Sequence, residues 1–158
     1  MDENEIGSAV VDCAVALPRD LWPGLLETVY EVTLARALER RGLRVERQVA
    51  VPIEYEGERF AEGFRADVIV EGKVLLELKS VEHVTPAHKK QLLTYLRLTG
   101  LKLGYLLNFG EALMRDGITR IINGSLDPIP LSTRASVRGN SSEEGFSQRH
   151  KGIGDLKL

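Results

Sequence analysis

Cysteine occurs once, at position 13, in a chain of 158 residues. A single thiol closes no internal disulfide and supplies no cysteine-based zinc site. No apolar run approaches the roughly 18–20 residues that a membrane helix needs, so no membrane partner is expected. The opening MDENEIGSAV is acidic where a secretory signal would be basic, and a cytoplasmic location is the expectation. An excess of either charge is missing too. Lysine and arginine total 21 against 23 aspartates and glutamates, a net charge of −2, which does not by itself advertise a nucleic-acid binder. What is present is ordinary for a globular protein, 43% hydrophobic and 28% charged, in a chain long enough for one domain with a real core.

Periodicity and punctuation divide the chain. Residues 5–17 form a short apolar stretch with helical character, closed by Pro18, Pro23 and Gly24. A second helix is expected from about Leu25 to Arg41, with Leu26, Val29, Tyr30, Thr33 and Ala37 as its apolar stripe and Gly42 just past its last turn. Two alternating strands follow, about 43–51 and 53–60, with a turn at Glu56-Gly57. A hairpin over 64–80 precedes a helix capped by Thr85 and Pro86, which runs to Thr99 and stops at Gly100. Strands at 102–109 and 117–122 complete a domain of residues 1–123. Residues 124–158 are rich in Ser, Gly and Arg with little periodicity, and a disordered tail is expected there. Arginines at 36, 40, 41, 44 and 47 stand against Glu39 and Glu46; the cluster reads first as a solvated helix end, second as a phosphate-contacting patch. A bound divalent ion would add positive charge that the formal count omits.

The hairpin sequence DVIVEGKVLLELK (67–79) carries Asp67, Glu77 and Lys79 inside a run of Val, Ile and Leu. Charges so placed cost free energy unless paired or liganded. A two-residue turn at Glu71-Gly72 would send Asp67 and Glu77 to opposite faces and mix charge with apolar groups on both. A three-residue loop, Val70 to Gly72 with Gly72 left-handed, changes the parity. Phe64, Ala66, Val68, Val74, Leu76 and Leu78 then share one apolar face, and Arg65, Asp67, Ile69, Leu75, Glu77 and Lys79 the other. At roughly 1.5–3 kcal/mol per buried side chain, the segregated register wins. It gathers two acids and an amine.

Neighbouring carboxylates repel, and a proton, a cationic side chain or a metal ion relieves them. Mg²⁺ is commonly held by one or two carboxylates, waters and substrate phosphate. Lys79 binds no metal but can reach a phosphate oxygen or an attacking water. Acid, acid and lysine are a minimal device for metal-assisted phosphodiester hydrolysis. Taken alone, the spacing has a plainer reading, a structural Glu–Lys pair beside a turn-proximal Asp.

Two more stretches bear on the choice. HKKQLLTYL puts His88, Gln91 and Tyr95 on one helix face, and PGLLETVY puts Glu27 and Tyr30 near a helix start, where a carboxylate complements the dipole. In order, Gly24-x-x-Glu27-x-x-Tyr30, GFRAD (63–67), ELK (77–79) and Gln91-x-x-x-Tyr95 resemble the GxxExxY protein family of the PD-(D/E)XK nuclease-like superfamily. The Gln-x-x-x-Tyr element is similar to that of the RecB and lambda-exonuclease branch. The resemblance covers about residues 5–123 and none of the tail.

It implies an α/β fold: a central mixed β-sheet flanked by helices on both sides, a restriction-endonuclease-like core. It implies Asp67 and Glu77 as ligands of a divalent Mg or Mn ion, with the Leu78 carbonyl as a third. Lys79 would position or activate water or steady the transition-state charge. Glu27 would complete the acidic cluster, directly or through water, and Gln91 and Tyr95 would orient Lys79 or the scissile phosphate. The implied activity is metal-dependent phosphodiester hydrolysis of nucleic acid, DNA ahead of RNA. The alternative is a catalytically silent nuclease-fold module that binds nucleic acid or a partner protein, and a homodimer is also open. The chain departs from the family at Asp12-Cys13, where a Val-His pair is expected, and at Leu17–Trp22 before the Pro-Gly pair. His83 and His88 are the candidates to replace that histidine, although lone histidines are more often solvated or packed.

Overall fold

The computed structural model describes residues 1–17 and 27–126, without the side chain of Glu62. The punctuation at 18–26, including Gly24, and the expected tail from 127 onward lie outside the described residues.

Helix α1 (Glu3–Ala16) begins two residues before the expected start, because Asp2 and Glu5 form a capping box. Each carboxylate accepts the other residue's backbone N–H at 2.8 Å, satisfying two of the donors a helix start leaves open. Helix α2 (Glu27–Arg40) ends at Gly42, whose φ of +82° suits a residue without Cβ. Its buried face is Tyr30, Glu31, Leu34, Ala35 and Leu38 rather than the expected stripe, and Val29 is 37% exposed. Thr33 uses its hydroxyl on the Val29 carbonyl along that outer side. The larger Leu34 and Leu38 set the helix rotation.

The two strands expected at 43–51 and 53–60 are not separate. β1 (Val45–Tyr55) runs unbroken through Pro52, and β2 (Glu58–Val70) is its antiparallel partner. Pro52 is tolerated because β1 is the sheet's edge strand and the register shifts there. Val51 pairs with Phe64 and Ile53 with Phe60, so one residue of β1 faces three of β2. Gly63 lies in that bulge, where a Cβ would meet the Val51 carbonyl oxygen and Ile53 Cγ1 at 2.6 Å. The tight turn at Glu56-Gly57 matches expectation, both residues having positive φ as a two-residue hairpin loop demands.

β3 (Val74–Lys79) pairs antiparallel with β2 and parallel with β4 (Leu103–Asn108). The crossover is α3 (Pro86–Thr99), started by Thr85 and stopped by left-handed Gly100 as its sequence predicts. A short 3₁₀ turn, Met114–Gly117, leads into β5 (Ile118–Ile122), antiparallel to β4. The result is a mixed five-stranded sheet in sequence order with β3 at its centre. α1 and α2 cover one face through a core of Ile6, Val10, Leu34, Leu38, Val68, Leu76, Leu78 and Leu107. α3 covers the other through Leu92, Tyr95 and Leu96 against Ala66, Ile69, Leu75 and Leu106. This is the expected α/β architecture, a mixed sheet between helical layers. Among the described residues no helix is long and apolar enough to cross a membrane.

Candidate active site

The β2–β3 loop has three residues and left-handed Gly72 (φ +62°), but it spans Glu71–Lys73, one position later than expected. Val70 pairs with Val74, and Glu71 donates its N–H to the Arg44 carbonyl, extending the β1–β2 pairing one residue further. Shifting a three-residue loop by one keeps the parity and moves each pairing. Val68 faces Leu76, so the next position brings Asp67 level with Glu77, and there the ladder stops.

What replaces the ladder is reciprocal. The Leu78 N–H donates to Asp67 Oδ2 at 2.8 Å, and the Asp67 N–H donates to Glu77 Oε1 at 3.3 Å. Each carboxylate thus occupies the place of a missing strand carbonyl, and the two groups lie side by side where β2 and β3 part. Val68, Val74, Leu76 and Leu78 share the α1/α2 cluster, and Ile69 and Leu75 the α3 cluster, as the register requires. Phe64 and Ala66 are the exceptions. They were expected with Val68 but pack in the α3 cluster, because β2 changes sides across Asp67.

Glu77 is 4% exposed, and burial followed by the neighbouring Asp67 charge pushes its carboxyl up to about 8. Burial raises Asp67 as well, opposed first by the Leu78 N–H and then by Lys79. Both carboxylates feel the Lys79 ammonium, whose side chain is half-buried at the end of β3. Without a cation the pair holds a proton near neutrality. Tyr95 lies on the same side of the sheet: burial, then Glu77 and Asp67, raise its phenol, and exposed Gln91 hydrogen-bonds its hydroxyl. The Phe64 ring stacks on Tyr95 with centroids 3.6 Å apart, walling the pair.

Glu27, at the first turn of α2, is within electrostatic reach of Asp67, but one of its oxygens accepts the Ser80 N–H at 3.2 Å. No group of three His, Cys, Asp or Glu side chains that could hold a metal ion occurs among the described residues. Asp67 and Glu77 are the two carboxylates whose hydrogen bonds set them side by side. One backbone group can join them: N–H and C=O of a strand residue leave by the same edge, so the Leu78 carbonyl faces the gap that its N–H enters. The Lys79 carbonyl leaves by the opposite edge and accepts the Phe109 N–H at 2.8 Å. Two carboxylates, that of Asp67 only half-buried, and a carbonyl are oxygen donors suited to Mg²⁺ or Mn²⁺.

Neither histidine joins this centre. His88 accepts the Thr85 N–H at Nδ1 and completes the α3 capping box, while His83 is exposed beside Glu82. Cys13 is buried in the α1/α2 core.

Asn108, which the sequence does not single out, is fully buried at the end of β4 opposite Lys79. Its Oδ1 accepts the Val81 and Gly110 N–H groups, both at 3.0 Å, and its Nδ2 donates to the Val81 carbonyl at 2.9 Å. With Glu27 on Ser80, it ties down the chain immediately after Lys79. An asparagine closing a run of Leu in LGYLLN was the available signal.

Against this geometry, comparison with known families matches residues 4–121 to the PD-(D/E)XK nuclease superfamily. The chain belongs to that superfamily. Among solved structures, this PD-(D/E)XK chain is similar to one titled "Crystal structure of SSO0001", with 22% identity and a TM-score of 0.41. The similarity covers 70% of this chain and 52% of that one, so this chain spans about half the length of that protein. No curated protein matches it.

Proposed function

We propose that this PD-(D/E)XK protein is a Mg²⁺- or Mn²⁺-dependent nuclease of the GxxExxY kind, within the RecB and lambda-exonuclease branch. The observation that carries the reading is the reciprocal hydrogen bonding that sets Asp67 and Glu77 side by side at the parting of β2 and β3, with Lys79 beyond them. Asp67, Glu77 and the Leu78 carbonyl would hold the ion, which supplies a nucleophilic water and neutralises phosphoryl charge.

The remaining roles belong to the chain. Lys79 donates a hydrogen bond to the attacking water or to a phosphate oxygen. Tyr95, kept protonated at neutral pH, offers an O–H donor whose direction Gln91 and the Phe64 stack fix. Glu27 holds the Ser80 peptide and would complete the acidic cluster through water. The superfamily and the phosphate chemistry of the lysine favour nucleic acid as substrate, DNA ahead of RNA.

Purified protein incubated with plasmid and linear DNA plus Mn²⁺, beside Lys79→Ala, tests this. Cleavage by the parent and loss of at least about 100-fold in the variant are expected. Equal activity in the two would end the assignment.

Among the described residues Asp67 and Glu77 belong to no group of three side chains that could hold a metal ion, which favours one second reading, a catalytically silent module that binds nucleic acid or a partner protein. Salt-dependent DNA binding without Mn²⁺-dependent cleavage would select it.

A further inference from the structure

Glu31 is a buried carboxylate that the proposed chemistry leaves unused. It lies on α2, 4% exposed, and accepts hydrogen bonds from Arg47 Nε at 2.9 Å and Gln48 Nε2 at 2.8 Å. Both donors belong to β1. Gln48 has a φ of +53°, a left-handed conformation that a residue with a Cβ seldom takes inside a strand.

The place of this distortion is informative. Arg47 pairs with Val68 and Val49 with Ala66, which puts Gln48 opposite Asp67 at a level the ladder skips. Both strands change sides there. In β1, Val45 packs with the α1/α2 cluster, while Val49 and Val51 pack with the α3 cluster. In β2, Val68 and Val70 belong to the first cluster and Ala66 and Phe64 to the second. Residues two or four apart in a regular strand share a face, so alternation is broken once in each strand, at facing positions.

We propose that Glu31 and Gln48 are positioning residues for Asp67. The Glu31 carboxylate holds the Gln48 amide, Gln48 keeps its left-handed backbone, and the reversal this imposes turns the Asp67 side chain toward the gap beside Glu77. Had β2 kept its alternation, Ala66 would lie with Val68 rather than with the α3 cluster. Asp67 would then project like any neighbouring strand residue, instead of replacing a strand carbonyl on the Leu78 N–H. Arg47 neutralises Glu31 and allows a carboxylate to serve as the anchor under α2.

For its effect on activity the inference rests on the nuclease reading, but its geometry can be tested apart from it. Amide exchange of Leu78, measured relative to Leu106 in β4, reports the Asp67 contact. Gln48→Gly removes the side chain yet tolerates positive φ; Gln48→Val removes it and resists positive φ. Leu78 protection within about threefold of the parent is expected in Gln48→Gly, and a loss of at least about tenfold in Gln48→Val. Glu31→Ala should also lose protection, and should lose less in the Gln48→Gly background, where the backbone no longer needs holding. Mn²⁺ affinity measured by calorimetry should follow the same order.

Equal losses in the glycine and valine variants, or full protection in the valine variant, would overturn the proposal. If Gln48→Val fails to fold, Gln48→Ala is judged by the same comparison with glycine. Absence of Mn²⁺ binding in the parent would count against the nuclease reading alone, since the exchange pattern still decides the positioning role.

Discussion

At the residue scale, Glu77 carries a buried carboxyl shifted far from its ordinary range. Its carboxyl, pushed up from 4.5 to about 8, keeps its proton in the folded state over a range where the unfolded chain has released it. Glu77 therefore contributes stability to the metal-free protein that is fully present below about pH 4.5 and is lost as pH rises toward 8, with Asp67 contributing in the same direction. The thermal unfolding midpoint in a chelator, taken relative to that of Glu77→Gln, should decline across that window. A divalent ion must displace the proton, so Mn²⁺ affinity should climb by up to about tenfold per pH unit until about pH 8. Calorimetry at several pH values checks the slope. Asn108 offers a different kind of test. Asn108→Leu removes the acceptor that holds the Val81 and Gly110 N–H groups, at about 0.5–1.5 kcal/mol for each lost hydrogen bond, so the unfolding midpoint should drop by several degrees. Its conservative counterpart, Asn108→Asp, retains the acceptor but loses the Nδ2 donor, and should fall between.

At the scale of elements, the long β1–β2 ribbon depends on two local devices, the Glu56-Gly57 turn and the bulge at Gly63. Gly63→Ala places a methyl 2.6 Å from the Val51 carbonyl oxygen, a contact the backbone must move to relieve. A loss of about 1–3 kcal/mol in chemical denaturation is expected, with the unfolding slope unchanged. Sequence made most elements legible for plain reasons. Thr85-Pro86 and Gly100 are start and stop chemistry with few alternatives, and the β2–β3 parity followed from separating apolar from charged side chains. The errors have physical causes too. Pro52 signalled a strand end, but an edge strand has no partner for the missing N–H, so the chain continued. Strict alternation through Asp67 would put Phe64 and Ala66 with Val68; they lie on the other face, and the left-handed backbone at that level belongs to Gln48, in another strand. Neither a turn signal nor a glycine marks that position.

For the whole molecule, fold class was readable because the order of helices and strands leaves one economical layering, whereas the candidate centre was only partly so. Asp67, Glu77 and Lys79 came from one hairpin, and Tyr95 from one helix face. Asn108 and the Glu31–Gln48 contact depend on long-range packing that no local spacing encodes. The nearly balanced net charge hides an uneven distribution: Arg36, Arg40, Arg41, Arg44 and Arg47 are all exposed on α2 and the chain that follows it. The Arg41 and Arg44 guanidinium groups meet exposed Asp12 and Glu46 at 3.5 and 3.9 Å, pairs that contribute little in water. If phosphates use this surface, Arg36→Ala with Arg40→Ala should weaken DNA binding and lower the salt slope by about one for each lost contact. Fluorescence anisotropy across a salt series reads both.

The proposed chemistry requires a divalent ion held between the two acids. Crystals soaked in Mn²⁺ and measured at its absorption edge give the most direct answer. We predict an anomalous peak bonded to Asp67, Glu77 and the Leu78 carbonyl, absent in Asp67→Asn. Well-ordered Asp67 and Glu77 carboxyls with no peak between them at saturating Mn²⁺ would contradict it.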